Sequence, residues 1–526
     1  MMTYLRYWAV VGFLLLGVAI TAGLPDFSNK WSHVVVGFFV LPLVWSLHYV
    51  RKQKWTFYDP ATWAGVLLFV ALAGALMAGN AYAGMLGWFG LTVGVVVFLG
   101  VRSLTAEHQP VFHIGLVSIG VLWVGWSLLA TKTSLALPWV PVLAKDPVTL
   151  VALAILPLAA GIMMFKRQTL WKNVLLVIGC AVLVVPFALP SFYTRVRQDW
   201  QTTAALAPAY VNIAKSHFLL GVGSGNSQYL YPNAATNRAL LPDRPPSSVL
   251  DVVTSYGVIS TLLFVALLVT SLFGLRQQSR KTRYVLVLAI VVTQALCWVA
   301  NLWQYPALWL SWWVLLGLCA SPVTTSEVQD AGTRRFFRYT VLTISALIAL
   351  QAIVMGLGLN RFAAAERAAL SADTKNAAKL YAVSLRFDPD PEQRRAYAES
   401  LWLNTYQNKN LAEAERQARL AYQWNRNDAF ARQIAARVAY SQSNYNDAER
   451  LYLETLDRDP YFSLDVYVAL ADVYKKQGKT TEERDIIQEG LKQYPDSPTL
   501  SDVANPVCLT QLQQMQKRFD AIPKQK

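Results

Sequence analysis

The stretch from Arg195 to Gly257 gathers side chains able to handle an anion and a proton. It opens with Arg195-x-Arg197-x-x-Trp200 and runs on to His217-Phe218-Leu219-Leu220-Gly221-Val222-Gly223-Ser224-Gly225-Asn226. It closes with Arg244-Pro245-Pro246-Ser247-Ser248-Val249-Leu250-Asp251, shortly before Tyr256-Gly257. Guanidinium forks bind phosphate-type anions bidentately and never deprotonate. An imidazole of near-neutral pKa suits proton transfer. Gly221, Gly223 and Gly225 permit a tight turn, free of side chains, that can approach a ligand or another helix closely. This G-x-G-x-G is no dinucleotide fingerprint, because no strand or βαβ context flanks it, and no P-loop, because the Lys-Ser/Thr is missing. Plainer readings stand beside these. Arginines at a membrane edge snorkel to lipid phosphates, and a histidine before a glycine turn can cap its helix.

These residues sit in a chain built for a bilayer. Of 526 residues, 54% are hydrophobic and 15% charged, with a net charge of +15. That is too apolar and too charge-poor for one soluble domain. Dividing the chain at 362 separates two chemistries: the first part holds 24 Lys+Arg against 9 Asp+Glu, and the second 23 of each. All of the excess charge therefore belongs to the apolar part, as do 16 of the 18 Trp, the residue of interfacial belts. Cys180, Cys297 and Cys319 fall in apolar runs and Cys508 in the tail, without metal-ligand spacing or a disulfide framework.

Apolar runs predict eleven spans, near 7-24, 34-50, 62-80, 83-101, 111-130, 148-165, 172-190, 252-275, 284-304, 306-321 and 339-359; the run from Trp298 to Ser321 reads equally as a broken pair. The first run, following Arg6, is read as a span rather than a signal peptide because a polytopic protein follows. Fifteen basic residues fall in alternate loops, at Arg6, Arg51 to Lys54, Arg102, Lys166 to Lys172, Arg276 to Arg283 and Arg334 to Arg338, whereas the short loops opposite hold Lys30, Lys132 and Lys145. The positive-inside rule makes the first side and the N-terminus cytoplasmic, with loop 191-251 and the tail outside. The basic charge is thus spent on topology, and no nucleic-acid partner is expected. The spans carry almost no ionisable groups, which argues against an ion-coupled transporter.

The tail repeats with a period of 34. Ala414-Glu415-Arg416, Ala448-Glu449-Arg450 and Glu482-Glu483-Arg484 recur at that interval, and Ala377 to Pro389 matches Ala448 to Pro460. Asp-Pro at 388 to 389 and at 459 to 460, with Tyr494-Pro495, closes successive helices. The pattern resembles the tetratricopeptide repeat, whose stacks form concave surfaces that bind peptides or proteins; a neutral helical cap is the plainer alternative. The expected fold is all-α: a polytopic membrane bundle over 1-362, a repeat solenoid over 363-500, and an extension over 501-526.

The order of an arginine motif, an H-F-L-L-G-V-G-x-G-N turn, an outward loop and a span with an internal Y-G-V-I resembles the O-antigen ligase and O-antigen polymerase superfamily, which includes bacterial protein O-oligosaccharyltransferases. Thr131-Lys132-Thr133-Ser134, and Asn301-Leu302-Trp303 leading to Trp312 through Leu318, are similar to further segments of it. The resemblance spans roughly residues 60 to 320 plus the tail. It implies a GT-C-type membrane glycosyltransferase at the inner membrane, taking a glycan from an undecaprenyl diphosphate carrier on the outer face and passing it to a protein or glycan acceptor, with the repeats recruiting that acceptor. No cofactor or metal is required. Arg195, Arg197, Arg244 and Lys132 become candidates for the diphosphate, although the family's equivalent of Lys132 is usually arginine.

The chain departs from the family at the base. The His-Asn pair usual about eleven residues before the glycine equivalent to Gly257 is Pro246-Ser247 here, and the acidic residue two before that glycine is Ser255. His217, the histidine of the outer loop, and Asp251, the acid nearest the missing pair, are the remaining candidates for the catalytic base. The missing pair motivates a second reading, a non-catalytic membrane scaffold whose repeats assemble a surface or pilus complex.

Overall fold

The computed structural model describes residues 60–102, 109–132, 147–164, 188–234, 244–320, 331–371, 373–403, 410–459, 463–493 and 512–514, together with positions 11, 15, 184 and 185. Regular structure among them is helical, in two compact units. The first comprises 1–78, 83–225 and 244–356; the second comprises 79–82, 226–243 and 357–526.

In the first unit α1 (Pro60–Met77), α2 (Ala81–Arg102), α3 (Gln109–Lys132) and α4 (Pro147–Met164) precede the long α5 (Pro190–Ser216). The short α6 (Ser227–Ala234) lies in the second unit, and α7 (Ser248–Gly274), α8 (Arg280–Val299) and α9 (Pro306–Cys319) return to the first. Among the described residues α1, α2, α7 with its 3₁₀ extension, and α8 are long and apolar enough to cross a membrane. They fall at the runs expected near 62-80, 83-101, 252-275 and 284-304. The expected spans at 7-24, 34-50 and 172-190 lie essentially outside the described residues. The run at 306-321 forms a helix of 14 residues, about 21 Å long at ~1.5 Å per residue, which is short of the ~30 Å hydrocarbon thickness. Its approach is broken by the extended Ala300, a 3₁₀ turn at Leu302–Gln304 and Pro306 at the first helical position, where proline is tolerated.

Every residue of α9 is buried, so this short helix is the centre of the unit rather than part of its surface. Trp309, Trp312 and Trp313 pack edge-to-face and stacked with Phe264 of α7 and Trp303, at centroid separations of 4.9 to 6.4 Å including Phe98 of α2. Gly94 on α2 lets one of these bulky rings in, because the Trp313 indole fills the space a side chain there would need; one turn earlier Trp309 Nε1 donates to the backbone carbonyl of Gly90 at 3.2 Å.

The helix α10 (Ala331–Leu370) runs for 40 residues and contains the boundary at 356/357. After it the second unit continues through α11 (Thr374–Phe387), α12 (Pro391–Leu403), α13 (Leu411–Trp424), α14 (Ala429–Ser441), α15 (Tyr445–Arg458), α16 (Leu464–Gln477) and α17 (Thr480–Gln493), each packed on its chain neighbour. The residues that repeat in sequence explain the packing. Ala414 and Ala448 are fully buried at crossings, with Ala418, Ala421, Ala431 and Ala436, while the charged residues beside them pair on the surface, Glu415 with Arg419 and Arg450 with Glu454. Asp373, Asp428 and Asn444 cap α11, α14 and α15 through side-chain oxygens, the usual means of satisfying first-turn amides. The segment 501-526 lies outside the described residues except for 512–514.

Two turns of this unit differ in an instructive way. Gly478 closes α16 in the left-handed region (φ 75°), where a 6→1 bond from Lys479 to Tyr474 completes the cap. The turn after α14 makes the matching bond from Asn444 to Ala439, yet its left-handed residue is the exposed Ser443 (φ 61°). An L side chain there costs about 1 kcal/mol or more. Ser443→Gly should therefore stabilise the unit by roughly 0.5 to 1 kcal/mol. Slower thermolysin cleavage of the full-length protein within 373–493 checks this, and an unchanged rate contradicts it.

Candidate functional site

The span α7 is broken at Gly257, whose φ of 72° and ψ of 179° are not helical. In an unbroken helix Val258 and Ile259 would donate to Thr254 and Ser255. The break strands these two amides and two carbonyls, each costing several kcal/mol if left unpaired in a bilayer. The glycine turn satisfies all four. Val222 N–H donates to Thr254 O and Gly223 N–H to Ser255 O, both at 2.9 Å; Val258 N–H donates to Phe218 O at 2.9 Å and Ile259 N–H to Leu219 O at 3.4 Å. Gly221, Gly223 and Gly225 all have positive φ. The two backbones cross so closely that a Cβ at Gly257 would stand 2.4 Å from Leu219 O, and one at Gly221 would stand 2.6 Å from Gly257 N.

The break arranges polar groups around the N-terminal part of α7. Ser247 caps the helix by accepting from Leu250 N–H at 3.2 Å. Asp251, one turn on, is half-buried and holds two side-chain partners: Ser255 Oγ donates to Oδ1 at 2.7 Å, and Asn301 Nδ2 donates to Oδ2 at 3.2 Å. Asn301 also donates to Pro245 O at 2.9 Å and faces Ser248 Oγ at 3.4 Å, so the segment before α9 is tied to the start of α7. The Tyr256 hydroxyl lies against Gly87 O at 3.4 Å and bonds to Ser224 in the glycine turn; it is within electrostatic reach of both Asp251 and Arg244. Arg244 is half-buried and has no hydrogen-bond or ion-pair partner among the described residues. A carboxyl group fixed by two donors, a phenol and a half-buried guanidinium can together hold an anion and accept a proton.

The other residues expected from sequence stand apart from this cluster. Arg195 is exposed on α5 and paired with Asp199 at 3.0 Å, one turn away. Arg197 is exposed on a different side of the same helix and has no partner among the described residues. His217 ends α5, exposed, with Nδ1 3.0 Å from Ser216 Oγ and 3.4 Å from Ile213 O. Its ring therefore contacts its own helix, and its carbonyl accepts from Gly221. Lys132 ends α3, and its side chain lies outside the described residues. Tyr256, Asn301 and Ser255 were not expected as site residues. Asn301 in an apolar run, and Tyr256 before a glycine inside a span, were the signals that could have found them.

The next residue after the turn, Asn226, begins the part of the outer loop that belongs to the second unit. There its fully buried amide pairs twice with Asn80, accepting from the backbone N–H at 2.9 Å and donating to the carbonyl at 3.3 Å. Arg426 N–H donates to Gly79 O at 3.1 Å, and Tyr229 donates to Glu392 at 3.1 Å. Burial and the Glu392 charge push the Tyr229 phenol well above its ordinary pKa, so it stays a donor. Burial also raises the Asp428 carboxyl, against the pull of Arg395.

No protein-family model matches this chain, and no curated protein matches it either.

Gly257→Ala should destabilise the protein by about 3 kcal/mol or more, through the left-handed backbone and the separated hydrogen bonds together. At Gly90 a Cβ meets nothing within 4 Å, so Gly90→Ala should be neutral or stabilising by up to about 1 kcal/mol. Thermal stability in detergent, followed by size-exclusion fluorescence, compares the two; equal behaviour contradicts the account of the break.

Proposed function

We propose that this chain is an integral-membrane glycosyltransferase of the O-antigen ligase type, moving a glycan from an undecaprenyl diphosphate carrier to an acceptor hydroxyl on the outer face of the cytoplasmic membrane. The observation that carries this reading is the cluster at the broken span, where Tyr256 lies within electrostatic reach of both Asp251 and Arg244 beside a turn without side chains. Arg244 is the cation centred on the diphosphate, because Arg195 is engaged with Asp199 and Arg197 occupies another side of α5. A fixed guanidinium stabilises both the bound diphosphate and its departure. Asp251 serves as the base: the acceptor oxygen bonds to the anomeric carbon, its proton passes to the carboxylate, and the carbon–oxygen bond to the diphosphate breaks with its electron pair. Asn301 and Ser255 hold the carboxylate in position. His217, whose ring contacts its own helix, is the poorer-placed candidate.

On this reading the topology is that of about eleven spans, with a cytoplasmic N-terminus and with the outer loop and the second unit outside. The helices of that unit are tetratricopeptide-like repeats that present a protein or bulky glycan acceptor. Ser247, a helix cap where the family carries its His-Asn pair, favours the second reading, a scaffold without catalysis that assembles a surface or pilus complex.

Asp251→Asn should lower transfer by roughly 10²- to 10⁴-fold, and Arg244→Ala should abolish it. His217→Gln should retain it. Membranes supplied with lipid-linked oligosaccharide, scored for loss of carrier-bound glycan at equal protein levels, give the readout. Full transfer by Asp251→Asn and Arg244→Ala sinks the site. Absence of transfer by the unmodified protein, with an assembly defect on removing the tail, supports the scaffold.

A further inference from the structure

The helix α5 has three faces. One packs into the first unit through Thr203, Leu206, Tyr210 and Ile213, with Thr203 Oγ1 donating to Val299 O at 2.9 Å. One register step round, Tyr193, Arg197, Trp200, Ala204, Val211 and Lys215 recur at spacings of four, three, four, seven and four, and all are exposed. Tyr193 is 64% exposed, Trp200 54% and Val211 40%. A further step round, Thr194, Gln198, Gln201 and Asn212 form an uncharged polar face. A helix with one buried face and water on the rest has no use for a line of aromatic and aliphatic side chains that includes two cations.

Arg197 and Lys215 are eighteen residues apart, five whole turns, so they project in one direction about 27 Å apart. Apolar residues continue past the helix end, where Phe218 and Leu219 are 58% and 59% exposed. The carbonyls of these same two residues accept from Val258 and Ile259 inside a helix that is apolar and long enough to cross the membrane. The C-terminal end of α5 is thereby fixed against the membrane, independently of the pattern on the helix.

We propose that α5 lies along the bilayer surface, with its Tyr193–Trp200–Val211 line seated at the headgroup boundary and Arg197 and Lys215 bound to the phosphates of anionic lipids. Tyr and Trp favour that boundary because each has an apolar body and a polar tip, and amphipathic helices with basic flanks bind there. The occupant is bulk anionic lipid. Arg197 accordingly serves the membrane surface rather than the carrier's diphosphate, and Arg195, tied to Asp199 near the packed face, stays off the lipid line. This reading does not rest on the glycosyltransferase proposal and stands if that activity is absent.

The test uses the full-length protein with its four native cysteines replaced by alanine, in vesicles of phosphatidylglycerol or of phosphatidylcholine. A nitroxide is placed through Val211→Cys, Gln201→Cys or Leu262→Cys, the last a lipid-side reference that is 63% exposed in α7. Collision with oxygen reports lipid, and collision with a neutral nickel complex reports water. In phosphatidylglycerol the label at 211 should behave like that at 262, favouring oxygen, while that at 201 favours nickel. Reversing charge with Arg197→Glu and Lys215→Glu should shift the label at 211 toward nickel in phosphatidylglycerol, and leave it unchanged in phosphatidylcholine. A label at 211 as open to nickel as that at 201, or shielded from both reagents by protein, overturns the proposal. An unchanged signal after charge reversal overturns the role of the two cations.

Discussion

A membrane helix can be interrupted only where the backbone groups it frees find partners, because hydrocarbon offers none. At Gly257 two amides and two carbonyls lose their helical bonds, and the turn from Phe218 to Gly223 returns a partner to each. The rest of the first unit follows from that exchange. The turn needs left-handed residues at 221, 223 and 225, so three glycines alternate. The two backbones must touch, which forbids a side chain at 221 and at 257. The helix leading into the turn, α5, is then held at a fixed place on the unit, with His217 as its end.

Packing supports the same place from the other side. Gly87 on α2 admits Ser224 and the Tyr256 hydroxyl, and Gly94 admits Trp313. The buried α9 carries the aromatic mass that fills the unit, and its preceding turn delivers Asn301 to Asp251. A carboxylate is costly to half-bury unless it is bonded, and Ser255 and Asn301 supply those bonds. The polar cluster is thus a consequence of how the broken span is held, which is why it is a more persuasive candidate site than the arginines of α5.

Parts of this were legible in the chain. The hydropathy runs near 62-80, 83-101, 252-275 and 284-304 coincide with helices long and apolar enough to cross a membrane, because such a helix leaves a long apolar run and no packing detail is needed to see it. The glycine turn was legible because alternate glycines have few other uses. Its partner was not: in the sequence Gly257 is one letter of a motif, since sequence does not tell which backbone a freed amide will meet. Asp251 and Arg244 stand out in the sequence, whereas Tyr256 and Asn301 do not, because their relevance depends on contacts distant in the chain, such as Asn301 with Asp251, 50 positions away, and Tyr256 with Gly87, 169 positions away. Arg195 and Arg197 looked equivalent in sequence and differ in the structure because a helix turns 100° per residue: two positions apart they face different surroundings. In the tail, Ala414 and Ala448, 34 residues apart, are both buried, but the matching Glu482 is exposed, and Ser443 conceals a turn that Gly478 announces.

The exchange of backbone partners at the broken span is open to direct measurement. Residue-resolved amide hydrogen exchange on the full-length protein in lipid should find Val222, Gly223 and Val258 protected to the degree of amides within α7, such as Leu263 and Phe264. Exchange at Val222 and Gly223 as fast as in an unstructured peptide would show that the turn does not hold the span, and the account of the site built on it would fall.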